Sequence, residues 1–204
     1  HMHDLLRSDS IEARAHLADE FISLLKAKKH YDQIRYLNTT GMEVVRVNYN
    51  SGAPYAVPQE ELQNKGRRYY FTDTFNLKRH QVFVSPMDLN VENGKIETPL
   101  KPMLRFGTPV YDPSGRKKGV VIINYYADTI RHNIKQFLAN PDSAPMLLNA
   151  RGYWLLAPDS RDEWGFMYKN KRRFDHRYPE IWEKIVQQKT GQVSTSDGLF
   201  TFIT

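Results

Sequence analysis

Residues 101–126 constrain the fold most, because they are typical of two strands joined by a tight turn. The first strand is predicted over residues 103–111 and the second over residues 119–126. Between them, Asp112-Pro113-Ser114-Gly115 has the residue types that β-turns favour. The second strand is apolar on both faces, so both sides of its sheet should be covered by other parts of the chain.

Two polar residues interrupt this apolar background. Arg105 stands between Leu104 and Phe106, so the two-residue period of a strand sends it to the opposite face from that pair. Asn124 interrupts the apolar run of the second strand. A polar residue on a covered face is either held in a structural network or faces a cavity, and the sequence leaves both interpretations open.

Which residues meet depends on how the two strands pair. Pairing around a four-residue turn places Arg105 near Ile122, and a shift by one residue would send Arg105 to the other face. The predicted face carries three further residues of the hairpin: Met103, Asn124 and Tyr126. An arginine on a covered face needs a matching charge, so we expect an anionic group beside it, from a ligand or from Asp88.

Charge, cysteine content and motifs exclude several classes of function. The formal net charge is +6, but the basic residues fall into separate clusters without a motif that reads RNA or DNA, so we expect no nucleic-acid partner. Cysteine is absent, and no apolar run approaches the ~20 residues of a membrane span. Without a nucleophile elbow, a metalloprotease motif, a phosphate-binding loop or histidines at metal-ligand spacing, we expect no enzyme activity, metal or cofactor.

Residues 9–29 predict one long helix, because apolar residues recur there at helical spacing. Asp9 and Glu12 are suited to cap its N-terminus. We assign residues 4–30 to this N-terminal helix. Its apolar stripe is wide enough to pack on a sheet and still leave surface for a second copy, so core packing alone and homodimerisation both remain open.

A second hairpin and a cluster of cations with aromatic residues follow. The hairpin is predicted over residues 31–49 around Asn38-Thr39-Thr40-Gly41. In the cluster, Arg67 and Arg68 precede three aromatic residues at 69–71. Guanidinium groups stack on aromatic rings and bind carboxylates through paired hydrogen bonds, so this cluster suits a pocket for a small anionic or zwitterionic ligand. The alternative is the start of a surface helix with two of its aromatic side chains in the core.

The remaining chain repeats the pattern on a smaller scale. A loop spans residues 86–99, a helix is predicted over residues 128–138, and Asn140-Pro141-Asp142 ends that helix. Two further hairpins and an amphipathic helix over residues 178–189 follow.

We therefore place a domain boundary at residue 140. The first domain is predicted over residues 31–140 and the second over residues 141–204, where we expect the final elements to be missing. The expected fold class is α+β, with the long N-terminal helix followed by two domains that contain antiparallel sheets.

The order of these elements resembles the double Cache (PDC-like) sensor domains of bacterial membrane receptors. The resemblance covers nearly the whole chain and depends on the order of several segments rather than on one motif. These segments are residues 68–71, 82–86, 105–110, 115–124 and 152–158.

This resemblance implies a receptor architecture. It implies a stalk helix, a membrane-distal PAS-like domain that binds a small ligand, and a membrane-proximal PAS-like domain in the periplasm. Membrane spans outside this chain would connect them to a histidine kinase or a GGDEF diguanylate cyclase, and the N-terminal helix would form a homodimer. The alternatives are a chemoreceptor sensor domain or a structural dimerisation module without a ligand.

The resemblance also points to binding residues. Family members that bind amino acids hold the ligand carboxylate with an arginine followed two places later by two aromatic residues, and Arg68, Tyr70 and Phe71 are similar to that pattern. Asn124 stands where those members carry an aspartate for the ligand amine, and Asp88 is the remaining candidate for that role. The expected ligand is small and carries a carboxylate. The residues expected to enclose it are Arg68, Tyr70, Asp88, Arg105, Asn124 and Tyr126.

Overall fold

The computed structural model describes residues 2–28, 30–50, 52–92, 94–138 and 143–204. The chain forms two compact units, one of residues 1–90 and 98–127, the other of residues 91–97 and 128–204. Every strand pairing in the described residues is antiparallel, which confirms the predicted α+β class. Within the same residues, no helix combines the length and the apolar composition that crossing a bilayer requires.

The described helices and strands follow one another in chain order. The α-helices are α1 (Met2–Arg7), α2 (Ile11–Ala27), α3 (Tyr69–Phe75), α4 (Asp128–Leu138), α5 (Phe174–Arg177) and α6 (Pro179–Gln187). The strands are β1 (Tyr31–Asn38), β2 (Glu43–Asn50), β3 (Ala53–Ala56), β4 (Phe83–Val84), β5 (Asp88–Leu89), β6 (Val91–Glu92), β7 (Lys95–Ile96), β8 (Pro102–Tyr111), β9 (Lys117–Tyr126), β10 (Leu147–Leu148), β11 (Trp154–Leu156), β12 (Thr190–Thr195) and β13 (Gly198–Ile203). Short 3₁₀ helices lie at Gln59–Glu61 and Ser160–Asp162.

The N-terminal helix is divided into α1 and α2, and Ser10 caps α2. The Ser10 hydroxyl accepts a hydrogen bond from the backbone N–H of Ala13 at 3.2 Å. Asp9, the predicted cap, instead accepts hydrogen bonds from Nε and Nη2 of Arg14 at 2.6 and 2.7 Å. The prediction was wrong because the guanidinium of Arg14 competes for that carboxylate, which leaves the neighbouring serine to bind the helix N–H group.

The sheet of the first unit has the strand order β3-β2-β1-β9-β8-β4, and β5 also pairs with β8. The two predicted hairpins, β1 with β2 and β8 with β9, therefore lie side by side. One face of the sheet packs on α2 through Ile34 and Val47. On the opposite face, Tyr70 and Phe71 of α3 share a core with Ile122. Both faces are covered, as the apolar run of β9 predicts.

The pairing of β8 with β9 corrects the predicted register. Arg105 pairs with Asn124, whereas a four-residue turn predicts that it lies beside Ile122. Two features each add one residue: Tyr111 pairs with Lys117 across a five-residue turn, and an irregularity between Val110 and Tyr111 shifts the pairing once more. Because the displacement is two residues, Arg105 stays on the predicted face of the sheet.

Several short elements differ from the predictions. The loop predicted over residues 86–99 contains β5, β6 and β7, and β3 was not predicted. Strands of two to four residues are too short to show a period in the sequence. The residues after Pro58 form one 3₁₀ turn, Gln59–Glu61.

The second unit contains three separate strand pairs among its described residues, β6 with β7, β10 with β11 and β12 with β13. Its apolar core includes Trp154, Phe174, Ile181 and Val193. Helix α4 has the predicted bounds, but it groups with this unit, whereas the sequence assigns it to the first domain. The predicted boundary at residue 140 lies outside the described residues and stays a prediction.

Gly107 allows α3 to lie close to the sheet. A Cβ atom at this position would come within 2.1 Å of Thr74 Oγ1 and 2.7 Å of Ile122 Cδ1. We expect Gly107→Ala to lower the free energy of unfolding by about 1–3 kcal/mol in chemical denaturation, because the helix or Ile122 must move. In Gly107→Ala/Thr74→Ala the loss should be smaller than the sum of the two single losses, because the clash with Thr74 is removed. Additive losses would contradict this close packing.

Asp112 holds the turn between β8 and β9. Its carboxylate accepts hydrogen bonds from the Ser114 hydroxyl at 2.6 Å and from the backbone N–H and Nε of Arg116 at 2.9 and 3.0 Å. These bonds, that of Ser114 foremost, lower the pKa of Asp112 below its ordinary value. A lowered folded-state pKa stabilises the fold above the unfolded-state pKa of about 4, and this stabilisation is lost as the pH falls through the folded-state pKa.

We therefore expect Asp112→Ala to melt at a lower temperature than the wild type near neutral pH. The difference in Tm should shrink as the pH is lowered from about 7 toward 2, because protonation removes the same interactions from the wild type. Thermal melts of both proteins across this range measure the difference. A difference that stays constant would show that the carboxylate charge does not contribute.

Candidate functional site

Tyr70 lies at the centre of one covered face of the first sheet, and only 2% of its surface is exposed. The Cζ atoms of Arg35, Arg68 and Arg105 lie 5.3, 5.7 and 5.1 Å from the centroid of its ring. An aromatic ring attracts each cation, but three like charges around one ring also repel one another and require counter-charges. We call this group, together with Asn124, the Tyr70 site.

Asp88 neutralises Arg105. Nη1 of Arg105 donates a hydrogen bond to Oδ1 of Asp88 within a buried ion pair. The Tyr69 hydroxyl donates to Oδ2 of the same carboxylate at 2.7 Å, and Nη2 of Arg105 donates to Oδ1 of Asn90 at 3.4 Å. The pairing of β5 with β8 brings Asp88 to this place, opposite Met103. Asp88, predicted as a partner for a ligand amine, is therefore bound to a guanidinium group.

Glu43 forms ion pairs with both Arg35 and Arg46. Its Oε1 accepts a hydrogen bond from Nη1 of Arg35 at 3.2 Å. Its Oε2 accepts from Nη1 of Arg46 at 2.9 Å and from the backbone N–H of Gln63 at 3.0 Å. Arg35 also donates from Nη2 to Oδ1 of Asn124 at 2.9 Å. The neutral amide of Asn124 is thereby joined to a charged network that is buried throughout.

The protonation states follow from this arrangement. Burial, and then the negative charge of Asp88, raise the pKa of Tyr69 to about 12. Burial by itself lowers the pKa of Arg105, but the carboxylate of Asp88 outweighs it, and the net pKa is raised. At neutral pH, Tyr69 therefore keeps its proton and donates it to Asp88, while Arg105 keeps its charge.

The structure brings five of the predicted site residues into one cluster. They are Arg68, Tyr70, Asp88, Arg105 and Asn124. Tyr126, the sixth, is half-buried farther along β9, where it pairs with Met103 and donates its backbone N–H to the carbonyl of His30 at 2.7 Å. The part of these residues in ligand binding stays a prediction.

Sequence reasoning missed Arg35, Glu43 and Tyr69. Arg35 stands between Ile34 and Tyr36 in β1, so the rule that selects Arg105 applies to it equally. Glu43 follows the turn of the first hairpin, where the pairing is irregular, and its face could not be predicted from the period of the strand. The sequence pattern does not distinguish Tyr69 from the two aromatic residues that follow it, although it is the Tyr69 hydroxyl that donates to Asp88.

The site carries no arrangement for a metal. In the part of the chain that the structure describes, no group of three or more His, Cys, Asp or Glu side chains could hold a metal ion. The chemistry available to the site is therefore that of buried cations, hydrogen-bond donors and one aromatic ring.

The family model described as bacterial histidine kinase, sensor domain, matches residues 1–204, the whole chain. The chain belongs to this family. The expected membership among the sensor domains of bacterial receptors is thus confirmed, and the function of this sensor domain is to sense rather than to catalyse. A comparison of its sequence with curated proteins gives no match.

Solved structures share the fold of this sensor domain. The extracellular domain of vpHK1S-Z8, assigned to a histidine kinase, is 24% identical with a TM-score of 0.81, over 98% of this chain and 72% of that one. A domain of a sensory box/GGDEF family protein from Vibrio parahaemolyticus is 24% identical with a TM-score of 0.82, over 98% of this chain and 76% of that one. The ligand-binding domain of Mlp24, solved with asparagine, is 12% identical with a TM-score of 0.54, over 97% of this chain and 79% of that one.

Removing the charge of Glu43 tests the buried network. We expect Glu43→Gln to lower the free energy of unfolding by about 3–5 kcal/mol, because Arg35 and Arg46 would then be buried without a carboxylate. The control is Glu60→Gln, an exposed position where the change should stay within about 0.5 kcal/mol. Chemical denaturation of both variants measures the two values. A loss at Glu43 as small as that at Glu60 would contradict the network.

Proposed function

We propose that the first unit of this sensor domain binds a small carboxylate-bearing ligand at the Tyr70 site and reports it to an output domain outside this chain. The observation that carries the proposal is an excess of positive charge on one covered sheet face. Among the described residues, two carboxylates, those of Glu43 and Asp88, form ion pairs on this face. The guanidinium groups around them are those of Arg35, Arg46, Arg68 and Arg105. A ligand anion would balance the surplus.

Arg68 is the cation best placed to meet such a ligand. It is half-buried beside the Tyr70 ring, and among the described residues no carboxylate forms an ion pair with it. A planar guanidinium group can give two parallel hydrogen bonds to one carboxylate. The ligand carboxylate would therefore lie between Arg68 and the edge of the buried network.

Shared fold supports this proposal. The Mlp24 domain has a similar fold and was solved with asparagine, a small molecule that carries a carboxylate. The vpHK1S-Z8 domain is extracellular. We infer an extracytoplasmic position for this sensor domain too, with attachment to the membrane through segments outside this chain and a histidine kinase or a diguanylate cyclase as its output.

We also propose that the intact receptor forms a homodimer along α2. The helix buries Leu17, Phe21 and Leu25 in the core of its own unit. A second copy would therefore contact the opposite, largely polar face, where an open groove follows the helix from His16 to Leu24. The contact would depend on a membrane anchor to raise the local concentration of the two helices.

A thermal-shift experiment tests ligand binding. The probes are acetate, succinate, asparagine and 4-aminobutyrate, and at least one of them should raise the Tm of the wild type. Arg68→Ala should weaken binding of that probe by about 2–5 kcal/mol, because the carboxylate loses its charged partner. Arg67→Ala removes the same charge from an exposed neighbouring position and should keep the full shift.

Replacing Arg105 should affect both binding and folding. Arg105→Ala should lose the ligand-induced shift and also lower the Tm of the free protein, because the buried Asp88 would then lack a positive counter-charge. The proposal fails if none of the probes raises the Tm of the wild type, or if the shift is the same in Arg67→Ala, Arg68→Ala and Arg105→Ala.

A further inference from the structure

The Tyr70 site contains buried hydrogen-bond donors that bind nothing. Among the described residues, Nε of Arg35, Nε of Arg105 and Nδ2 of Asn124 are buried and have no hydrogen-bond partner. Nε of Arg46, the second arginine on Glu43, is a fourth such donor. Buried donors without acceptors are destabilising, so their presence in one cluster calls for an explanation. They indicate a partner that supplies acceptors.

By contrast, each side-chain oxygen of Glu43, Asp88 and Asn124 already accepts at least one hydrogen bond. Both carboxylate oxygens of Glu43 accept hydrogen bonds from arginines. In Asp88, Oδ1 accepts from Arg105 and Oδ2 accepts from Tyr69. The amide oxygen of Asn124 accepts from Arg35. Among the described residues near the site, one buried side-chain acceptor has no partner, Oε1 of Gln33. Gln33 is the residue opposite Asn124 in the pairing of β1 with β9, and its amide carries no charge.

The excess of unpaired donors over unpaired acceptors determines which charged groups of a ligand this site can bind. An ammonium group has three donors and no acceptor, so it would add donors to a site that already has too many. It would also lie near three guanidinium groups that are all within 5.7 Å of one ring centroid. A carboxylate has two oxygens that accept several hydrogen bonds, and it matches both the free donors and the surplus charge.

We propose that the Tyr70 site selects carboxylates without an ammonium group, such as simple mono- or dicarboxylates, against amino acids. This inference rests on the proposed function, since it assumes that the ligand binds at this site. Asn124 is the residue that sets the selectivity: its oxygen is held by Arg35, so the amide presents its NH₂ group to the ligand. An aspartate at the same position would present only acceptors.

Matched pairs of probes test the selectivity in isothermal titration calorimetry. Succinate is compared with L-aspartate, and butyrate with 4-aminobutyrate, because the members of each pair differ by one ammonium group. We expect the ammonium-free member of at least one pair to bind at least about tenfold more tightly than its partner, because like charges in contact are strongly unfavourable. Equal or tighter binding of the amines would overturn the inference and leave the proposed function intact. If none of these four probes binds, the inference fails, whereas the proposed function fails only if acetate and asparagine also leave the Tm unchanged.

Two variants of Asn124 assign the selectivity to this residue. Asn124→Asp should weaken succinate or butyrate at least about tenfold and shift the preference toward the amine-bearing partner, because it replaces a donor by a negative charge. Asn124→Ala, which adds no charge, should weaken the carboxylate but keep the order of preference, because the guanidinium groups remain. Circular dichroism checks that each variant is folded. An unchanged preference in folded Asn124→Asp, or a reversed preference in Asn124→Ala, would contradict the role of Asn124.

Discussion

The structure of the first unit depends on the balance of charge around the buried ring of Tyr70. Guanidinium groups on three different elements can lie near this ring only because Asp88 and Glu43 neutralise two of them. The ring itself is held by the packing of α3 on the sheet, which Gly107 permits. Loss of either carboxylate would leave buried charge unpaired, and unpaired buried charge is among the most destabilising features that a fold can contain.

Buried ion pairs seldom add stability compared with apolar side chains of the same volume, so stability alone does not account for this network. Asp88 illustrates the point. It lies on β5, a strand of two residues, and the chain passes into the second unit three residues later, at Val91. The proposed ligand carboxylate would compete with Asp88 for Arg105 and would thereby act on β5. Few hydrogen bonds hold this strand, and it is close in sequence to the other unit.

Some features of the fold could be predicted because they depend on local periodicity. The two-residue period placed Arg105 on the correct face although the register was displaced, since an even displacement preserves the face. Helix α4 was predicted with its observed bounds because its residues have one consistent helical pattern between clear breaks. The predicted cap of α2 was wrong because the adjacent residues Asp9 and Ser10 both suit the position. Arg14 decides between them, since it binds the carboxylate of Asp9.

The composition of the site could not be predicted in the same way, because it depends on the order of strands in the sheet. Arg35 and Asn124 are far apart in the sequence, and they meet only because β1, from the first hairpin, pairs with β9, from the second. Period and turn chemistry determine which face a residue occupies, but they do not determine which hairpins become neighbours. The sequence therefore indicated Arg68 and Arg105, with Asp88 or a ligand as the counter-charge. The sheet order joins Arg35, Arg105 and Asn124 across three strands and leaves buried donors that have no acceptor among the described residues.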